Sequence, residues 1–460
     1  MKKLFLAALS ILAVMTLAAC GGGSSNSNEV NVLDTLPDET INITFWHTYG
    51  QSKGELLDAQ IAAFELLYPN IKVEAISQES YDGLKDKTTL AIPAGNAPTM
   101  LVGYPDHVAE YMLGNAVVPL DKFITHETWG IDLSDFIPAY VDENRQYADG
   151  LMYSLPYSKS TEFLVYNKTV MAANNITIPS DRALTYAELE TIADTVVGNG
   201  ENQCEFLINY DSPANLFINI TRQYDGGYTD IDGNILVNNA NTKLGLNYFL
   251  GLFQDKTVVL PSAWEGEDYG SVPFKKAWTC MSVGSTAGVK YNIPSQKEID
   301  ESDYPNDYLQ GVFEVGFAPV PQLEDGINSA TQQGPNIAIL SDSTDAERLA
   351  AWLLIKHLTN VENTVAWSME TGYLPVRTSA INSDDYQAFL NNPEEYQANA
   401  SAAINAALTQ TSYFQYDPAF ALRTSSASAR RQAEIALVAI YLETKTVDQA
   451  VQAMIDQLTW

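Results

Sequence analysis

Ile41, Ile43 and Phe45 alternate with Asn42 and Thr44, the period of a strand with one buried face. Over 55–68 the apolar positions change to helical spacing, Leu57, Ile61, Phe64 and Tyr68, and Pro69 with Asn70 stops the run. Alternation resumes at Ile71, Val73 and Ala75. Strand, helix and strand within about 35 residues predict a βαβ unit with parallel strands and a right-handed crossover. A third strand is expected at 99–102, so the N-terminal region reads as an open α/β sheet. In such sheets ligands sit beyond the carboxyl ends of the strands, here 46–49, 76–81 and 103–106.

Further along, Thr185 and Glu188 form a capping-box pattern that opens a helix to about residue 197, and Thr344 with Glu347 opens another. In the second, Ala350, Leu354, Leu358 and Val361 share one face. Short strands are expected at 163–166, 277–283 and 315–319, and helices at 427–441 and 446–458. No tandem repeat is present. The pattern is mixed α/β with more than one sheet.

Ahead of the first strand, Lys2 and Lys3 precede an apolar run over 4–19 that ends in Leu17, Ala18, Ala19 and Cys20. That run is short for a membrane span and has the layout of a secretory signal peptide. Its end resembles a bacterial lipobox, so residues 1–20 are expected to be a lipoprotein signal peptide with the lipid on Cys20. The Gly- and Ser-rich start of 21–39 then suits a flexible tether. The chain of 460 residues is 46% apolar and 18% charged, the balance of a folded protein of two or three domains. Lys plus Arg is 25 and Asp plus Glu is 57, a net charge of −32 that disfavours nucleic acid and anionic lipid as partners. Beyond Cys20 only Cys204 and Cys280 remain, a pair that forms either one disulfide or two buried thiols.

Motifs of catalysis are lacking. His47, His107, His126 and His357 stand apart, without zinc spacing. The run from Gly284 to Gly288 places Ser285 in the second of five positions, where a nucleophile elbow needs it in the third. Neither an enzyme nor a metal or organic cofactor is expected. The 25 Tyr and 7 Trp are the richer signal. Trp46, Tyr49, Tyr81, Tyr104, Trp264 and Tyr373 are each better suited to packing than to ligand contact, but together, at strand ends, they suit a ligand with C–H faces and hydroxyls.

The order of several motifs resembles the extracellular solute-binding proteins of ABC importers for sugars and glycerol phosphates. Phe45-Trp46-His47, Gly54 and Tyr68-Pro69-Asn70-Ile71 are similar to the family's opening, followed by Gly95-Asn96-Ala97-Pro98 and Ala116-Val117-Val118-Pro119-Leu120. Leu155-Pro156-Tyr157 with Ser160-Thr161 and Tyr166-Asn167-Lys168 resembles its crossing into a second lobe. Thr371-Gly372-Tyr373-Leu374-Pro375-Val376 is the most specific match, and Thr446-Val447-Asp448-Gln449-Ala450 is similar to the closing helix.

The resemblance implies an α/β, two-lobe periplasmic-binding-protein fold of type II, with three interlobe crossings near Pro156, Gly334 and Leu374 and a ligand cleft at the hinge. The lobes implied are 40–156 with 336–374, and 157–335 with 375–460. The glycerol-phosphate branch of the family implies a pocket of Tyr81, Asp106, Ser160, Ser285, Gly334, Tyr373 and Arg423, to which the aromatic pattern adds Trp46, Tyr49 and Trp264 as a possible platform. In that reading Arg423 grips phosphate, Ser160 and Ser285 donate to its oxygens, and Asp106 accepts from glycerol hydroxyls. A Cys pair in the same branch matches Cys204 and Cys280. Lys159 and Gln333 depart from that branch and leave a neutral oligosaccharide open as the alternative ligand, with a secreted glycosidase or phosphodiesterase more remote. The expected setting is a lipid-anchored monomer on the outer face of a cell membrane, serving membrane permease subunits.

Overall fold

A computed structural model describes residues 30–266, 269–421 and 424–458. The signal peptide, most of the tether, Cys20 and Arg423 therefore lie outside the described residues. Four strands come first: β1 (Ile41–His47), β2 (Ile71–Ser77), β3 (Met100–Gly103) and β4 (Leu155–Pro156). Next are β5 (Ser160–Asn167), β6 (Phe206–Tyr210), β7 (Val258–Val259), β8 (Thr279–Ser285) and β9 (Val315–Ala318). The last three are β10 (Ala330–Gln333), β11 (Asn336–Ile339) and β12 (Phe414–Gln415).

The first sheet has the order β2-β1-β3-β11-β4. β1 runs parallel to β2, Ile41 opposite Ile71, and parallel to β3, Phe45 opposite Met100, so the predicted βαβ unit is present. Its helix is Gln51–Leu67, one turn longer at the start than the apolar spacing indicated. β11 enters antiparallel between β3 and β4. All four of its residues are buried, leaving no alternation to mark it as a strand. The second sheet has the order β12-β10-β5-β8-β6-β7, with β9 also paired to β5. Each sheet has its own core: Phe45, Phe64, Trp352 and Leu354 lie in the first, and Phe217, Phe249, Met281 and Leu437 in the second.

Both capping boxes form with reciprocal bonds and open the helices Tyr186–Val196 and Asp345–Leu358. The C-terminal helices are Ser426–Tyr441 and Val447–Leu458. A disulfide joins Cys204 to Cys280, beside the paired residues Phe206 and Thr279 of β6 and β8.

Three stretches of chain run side by side between the sheets. Ser158 donates its N–H to the carbonyl of Pro335 at 3.0 Å, tying the β4–β5 link to the β10–β11 link. Leu374 donates to the carbonyl of Lys159 at 2.6 Å and brings in the third. Beyond it the chain does not leave the first core where the motif pattern placed the change. Val376 is buried in that core, and Arg377 pairs with Asp135 at 3.0 Å, so the third crossing is completed later than Leu374. Arg377 also caps Phe136 from 4.2 Å, which holds this segment to the first lobe.

Candidate functional site

Between the two sheets lies a cavity of about 660 Å³. The first lobe contributes Asp82, Lys85 and Asp86 from the helix Tyr81–Ala94, and Tyr104 to His107 from the end of β3. The second contributes Ser212 and Ala214 after β6, Thr331 to Gln333 of β10, and one face of the helix Ser426–Tyr441. The first lobe's residues follow the carboxyl ends of β2 and β3, as an open α/β sheet requires.

Arg430 is the best-anchored cation of this wall. Its guanidinium donates to Asp417 at 3.0 Å and to the side-chain oxygen of Asn215. Asp417 in turn accepts from Arg222 at 2.8 Å. Burial is the largest influence and works against the Arg430 charge, but Asp417, Tyr228, Asp106 and Glu162 together outweigh it and hold the guanidinium above its ordinary pKa. Asn215 passes the network on to Glu162 at 2.7 Å. Burial, only partly offset by the Asn215 bond, raises that carboxyl to about 7.

An aromatic wall leads away from the cavity. Tyr104 packs edge-on against Tyr81 with centroids 4.9 Å apart, and the Tyr81 hydroxyl lies 3.2 Å from that of Tyr373. Tyr373 stacks on Trp367 at 6.3 Å, and Trp367 stacks on Tyr157 at 5.2 Å. The Tyr49 hydroxyl and the Trp367 indole both bond Ser158 in the first crossing, at 2.9 and 3.0 Å. Burial raises the phenols of Tyr81, Tyr104 and Tyr373, so they remain neutral hydrogen-bonding groups.

The described candidates from sequence fall into several groups. Asp106 lines the cavity, in the first turn of the helix Pro105–Met112. Tyr81, Tyr373 and Tyr49 belong to the aromatic wall. Ser160 opens β5 opposite Gln333 of β10, Ser285 ends β8, and Gly334 stands in the second crossing with a left-handed φ of 109°. Trp46 packs half-buried against the first core, on the opposite face of β1 from Phe45. Trp264 is placed elsewhere. The short turn Pro261–Ala263 folds it back onto Phe206 and Trp278, at the amino ends of β6 and β8, so it cannot serve as a platform in the cleft.

Arg430 and Arg431 were missed. The i, i+3, i+4 spacing of Ala427, Arg430, Arg431 and Glu434 makes a polar stripe that reads in sequence as a solvent face, and only the fold turns it to the cleft. Among the described residues no group of three or more His, Cys, Asp or Glu could hold a metal ion, and no helix is long and apolar enough to cross a membrane.

Comparison with known proteins agrees with this architecture. A family model described as bacterial extracellular solute-binding protein matches residues 59–404. The sn-glycerol-3-phosphate-binding periplasmic protein UgpB of Salmonella typhimurium is 22% identical over 357 residues, 74% of this chain and 75% of its own length. UgpB from Mycobacterium tuberculosis, in complex with glycerophosphocholine, superposes with a TM-score of 0.73 at 19% identity, over 91% of this chain and 98% of that one. The GacH receptor of Streptomyces glaucescens, whose structures include an acarbose complex, gives 0.70 at 18% identity, again over 91% and 98%. The type II two-lobe fold is common to all of these structures.

Proposed function

The chain belongs to the bacterial extracellular solute-binding protein family, and from that premise we propose that it is the receptor of an ABC importer for glycerol-phosphate esters, glycerophosphodiesters above sn-glycerol-3-phosphate. The observation that carries this reading is Arg430, fixed by Asp417 in the wall of a cavity that Asp106 lines from the other lobe. A guanidinium pairs with phosphate oxygens through a bidentate fork, and a carboxylate accepts from the hydroxyls of glycerol. Tyr81 and Tyr373 supply flat faces beside it, and Ser160, Ser285, Gly334 and Arg423 are the remaining contacts of the proposed pocket. The names of the UgpB proteins support the same class of ligand.

The preference for diesters follows from charge. Asp82, Asp86, Asp106, Glu143, Asp417 and Glu434 line the cavity against Lys85, Arg430 and Arg431. A singly charged diester meets less repulsion there than a phosphate monoester dianion. A ligand that touches both lobes favours the closed form by its extra contacts, and the closed form is what a permease would take up. In this reading Cys20 carries the lipid, the tether holds a monomer at the outer membrane face, and no cofactor or turnover is involved.

The excess of carboxylates also favours a second reading, a neutral oligosaccharide, in line with the acarbose complex of GacH. Thermal unfolding with glycerophosphocholine, sn-glycerol-3-phosphate and maltotriose decides between them, since ligand at a hundredfold excess over Kd adds about 2.7 kcal/mol. A shift with the phosphodiester supports the proposal. A shift with maltotriose alone transfers the chain to the second reading, and release of choline or glycerol from the diester would make it an enzyme.

A further inference from the structure

Two lysines meet across the cleft, outside the lining of the Arg430 cavity. Lys53, from the helix Gln51–Leu67 of the first lobe, donates to the carbonyl of Ala287 in the second at 3.0 Å. Lys290, from the short helix Thr286–Asn292 of the second lobe, donates to the hydroxyl of Ser52 in the first at 2.6 Å. The Lys53 ammonium lies 5.1 Å from the centre of the Tyr373 ring, at the end of the aromatic wall. In a chain of net charge −32, neither forms an ion pair among the described residues.

Like charges converge here only when the lobes are together, a contact that opposes closure unless something offsets it. Burial, and then the Lys290 charge, hold the Lys53 amine down to about 8. The surroundings add to the positive field instead of relieving it. Gly50 caps the helix Gln51–Leu67 without a side-chain bond, and its first turn has no acidic residue. Space is present as well: a Cβ on Gly50 or on Gly288 would meet no atom within 4 Å.

We propose that Lys53 and Lys290 form an interlobe subsite for a tetrahedral oxyanion, assembled by closure, at the Ser285 and Tyr373 end of the cleft. The anion is either free phosphate or a phosphate group of the captured ligand. The subsite rests on the two-lobe receptor reading but not on which ester is bound.

Inorganic phosphate titrated against chloride at constant ionic strength is the first probe, read as the melting temperature of wild type, Lys53→Met, Lys290→Met and Arg430→Gln. A rise that is present in wild type and Arg430→Gln and lost in both lysine variants supports the subsite. Lys290 is exposed, so its variant remains interpretable if Lys53→Met folds poorly. An equal rise in all four proteins, or none in wild type, overturns it. Calorimetry with glycerophosphocholine, in phosphate and in chloride, is the second probe. Affinity raised severalfold by phosphate means that the anion is free, and affinity lowered by it in wild type and Arg430→Gln but not in Lys290→Met means that the ligand's own phosphate takes the site. A phosphate-dependent rise without any glycerophosphocholine binding keeps the subsite and removes the ester reading.

Discussion

Lys159 and Glu143 form a buried ion pair where the three crossings meet. The Lys159 side chain is fully buried, and its ammonium also donates to the carbonyl of Gly334 at 2.9 Å, while its own carbonyl accepts from Leu374. One residue thus ties all three links together and fixes them to the helix Pro138–Asn144, whose Glu143 reaches the cavity. Burial pushes Glu143 up and Lys159 down in pKa, and each charge counters the other's shift. Lys159→Met should destabilise the fold by about 3–5 kcal/mol, because Glu143 is left buried and unpaired. Lys159→Met with Glu143→Leu should recover most of the loss. Urea unfolding of the two single variants and the double one measures the coupling, and additive losses would disprove it.

Gly334 makes the second crossing possible. At φ 109° an L side chain is disfavoured, and a Cβ there would overlap the carbonyl oxygen of Ser158 in the adjacent crossing. Gly334→Ala should therefore lose at least ~2 kcal/mol, from backbone strain and from displacement of the first crossing. Gly288→Ala, where a Cβ meets open space, is the control and should be near neutral in the same melts.

Legibility in the sequence followed where burial is one-sided. β1 and β2 were readable because their inner and outer residues alternate, whereas β11 is buried throughout and short. Both capping boxes were readable because their bonds are local, three residues apart. The site was harder, since its members come together only through the crossings. Asp106 could be placed from the strand-end rule alone. Trp264 obeyed the same rule in sequence but was reversed by the turn before it. Arg430 could not be told from a solvent-facing arginine, because Asn215 and Asp417, which hold it, are distant in the chain or in a separate loop.

Glu162 should impose a pH dependence on stability. It is almost fully buried, and its carboxyl is raised by burial from 4.5 to about 7. Between these values the unfolded chain has released the proton and the folded one still holds it, so stability falls as pH rises through that window. The loss, complete above about pH 7, is on the order of 3 kcal/mol. His47 acts in the opposite sense, since burial lowers it to about 4 and its stabilising effect grows from there to pH 6.5. Comparison with Glu162→Gln isolates the glutamate: the variant should gain on wild type from pH 5 to 8 in chemical denaturation, and parallel profiles would contradict the assignment.

The Cys204–Cys280 bridge lies at the end of the second sheet away from the cavity, closing a loop with a sequence separation of 76. Replacing both by Ser should cost about 2–5 kcal/mol, mostly by freeing the unfolded chain. Ligand affinity should change less than twofold, because Ser212 and Gln333 line the cavity from the other end of that sheet. Melting temperature and calorimetric Kd, measured on the same variant, separate the two effects.

Arg430→Gln tests the ligand reading most directly. The side chain is anchored rather than anchoring: Asp417 keeps Arg222 at 2.8 Å when Arg430 is removed, so the carboxylate is not left unpaired and the fold should lose little. Affinity for a glycerophosphodiester should fall tenfold or more, since a charge-assisted hydrogen bond to phosphate is worth roughly 1.5–3 kcal/mol and about 1.4 kcal/mol is a factor of ten. Asp106→Asn should act differently. It removes a negative charge from the cavity, so a monoester dianion should gain relative to the diester even as hydroxyl contacts weaken. If Arg430→Gln leaves diester affinity unchanged, phosphate is not held at this wall. If Asp106→Asn lowers both esters equally, the excess of carboxylates does not set the preference.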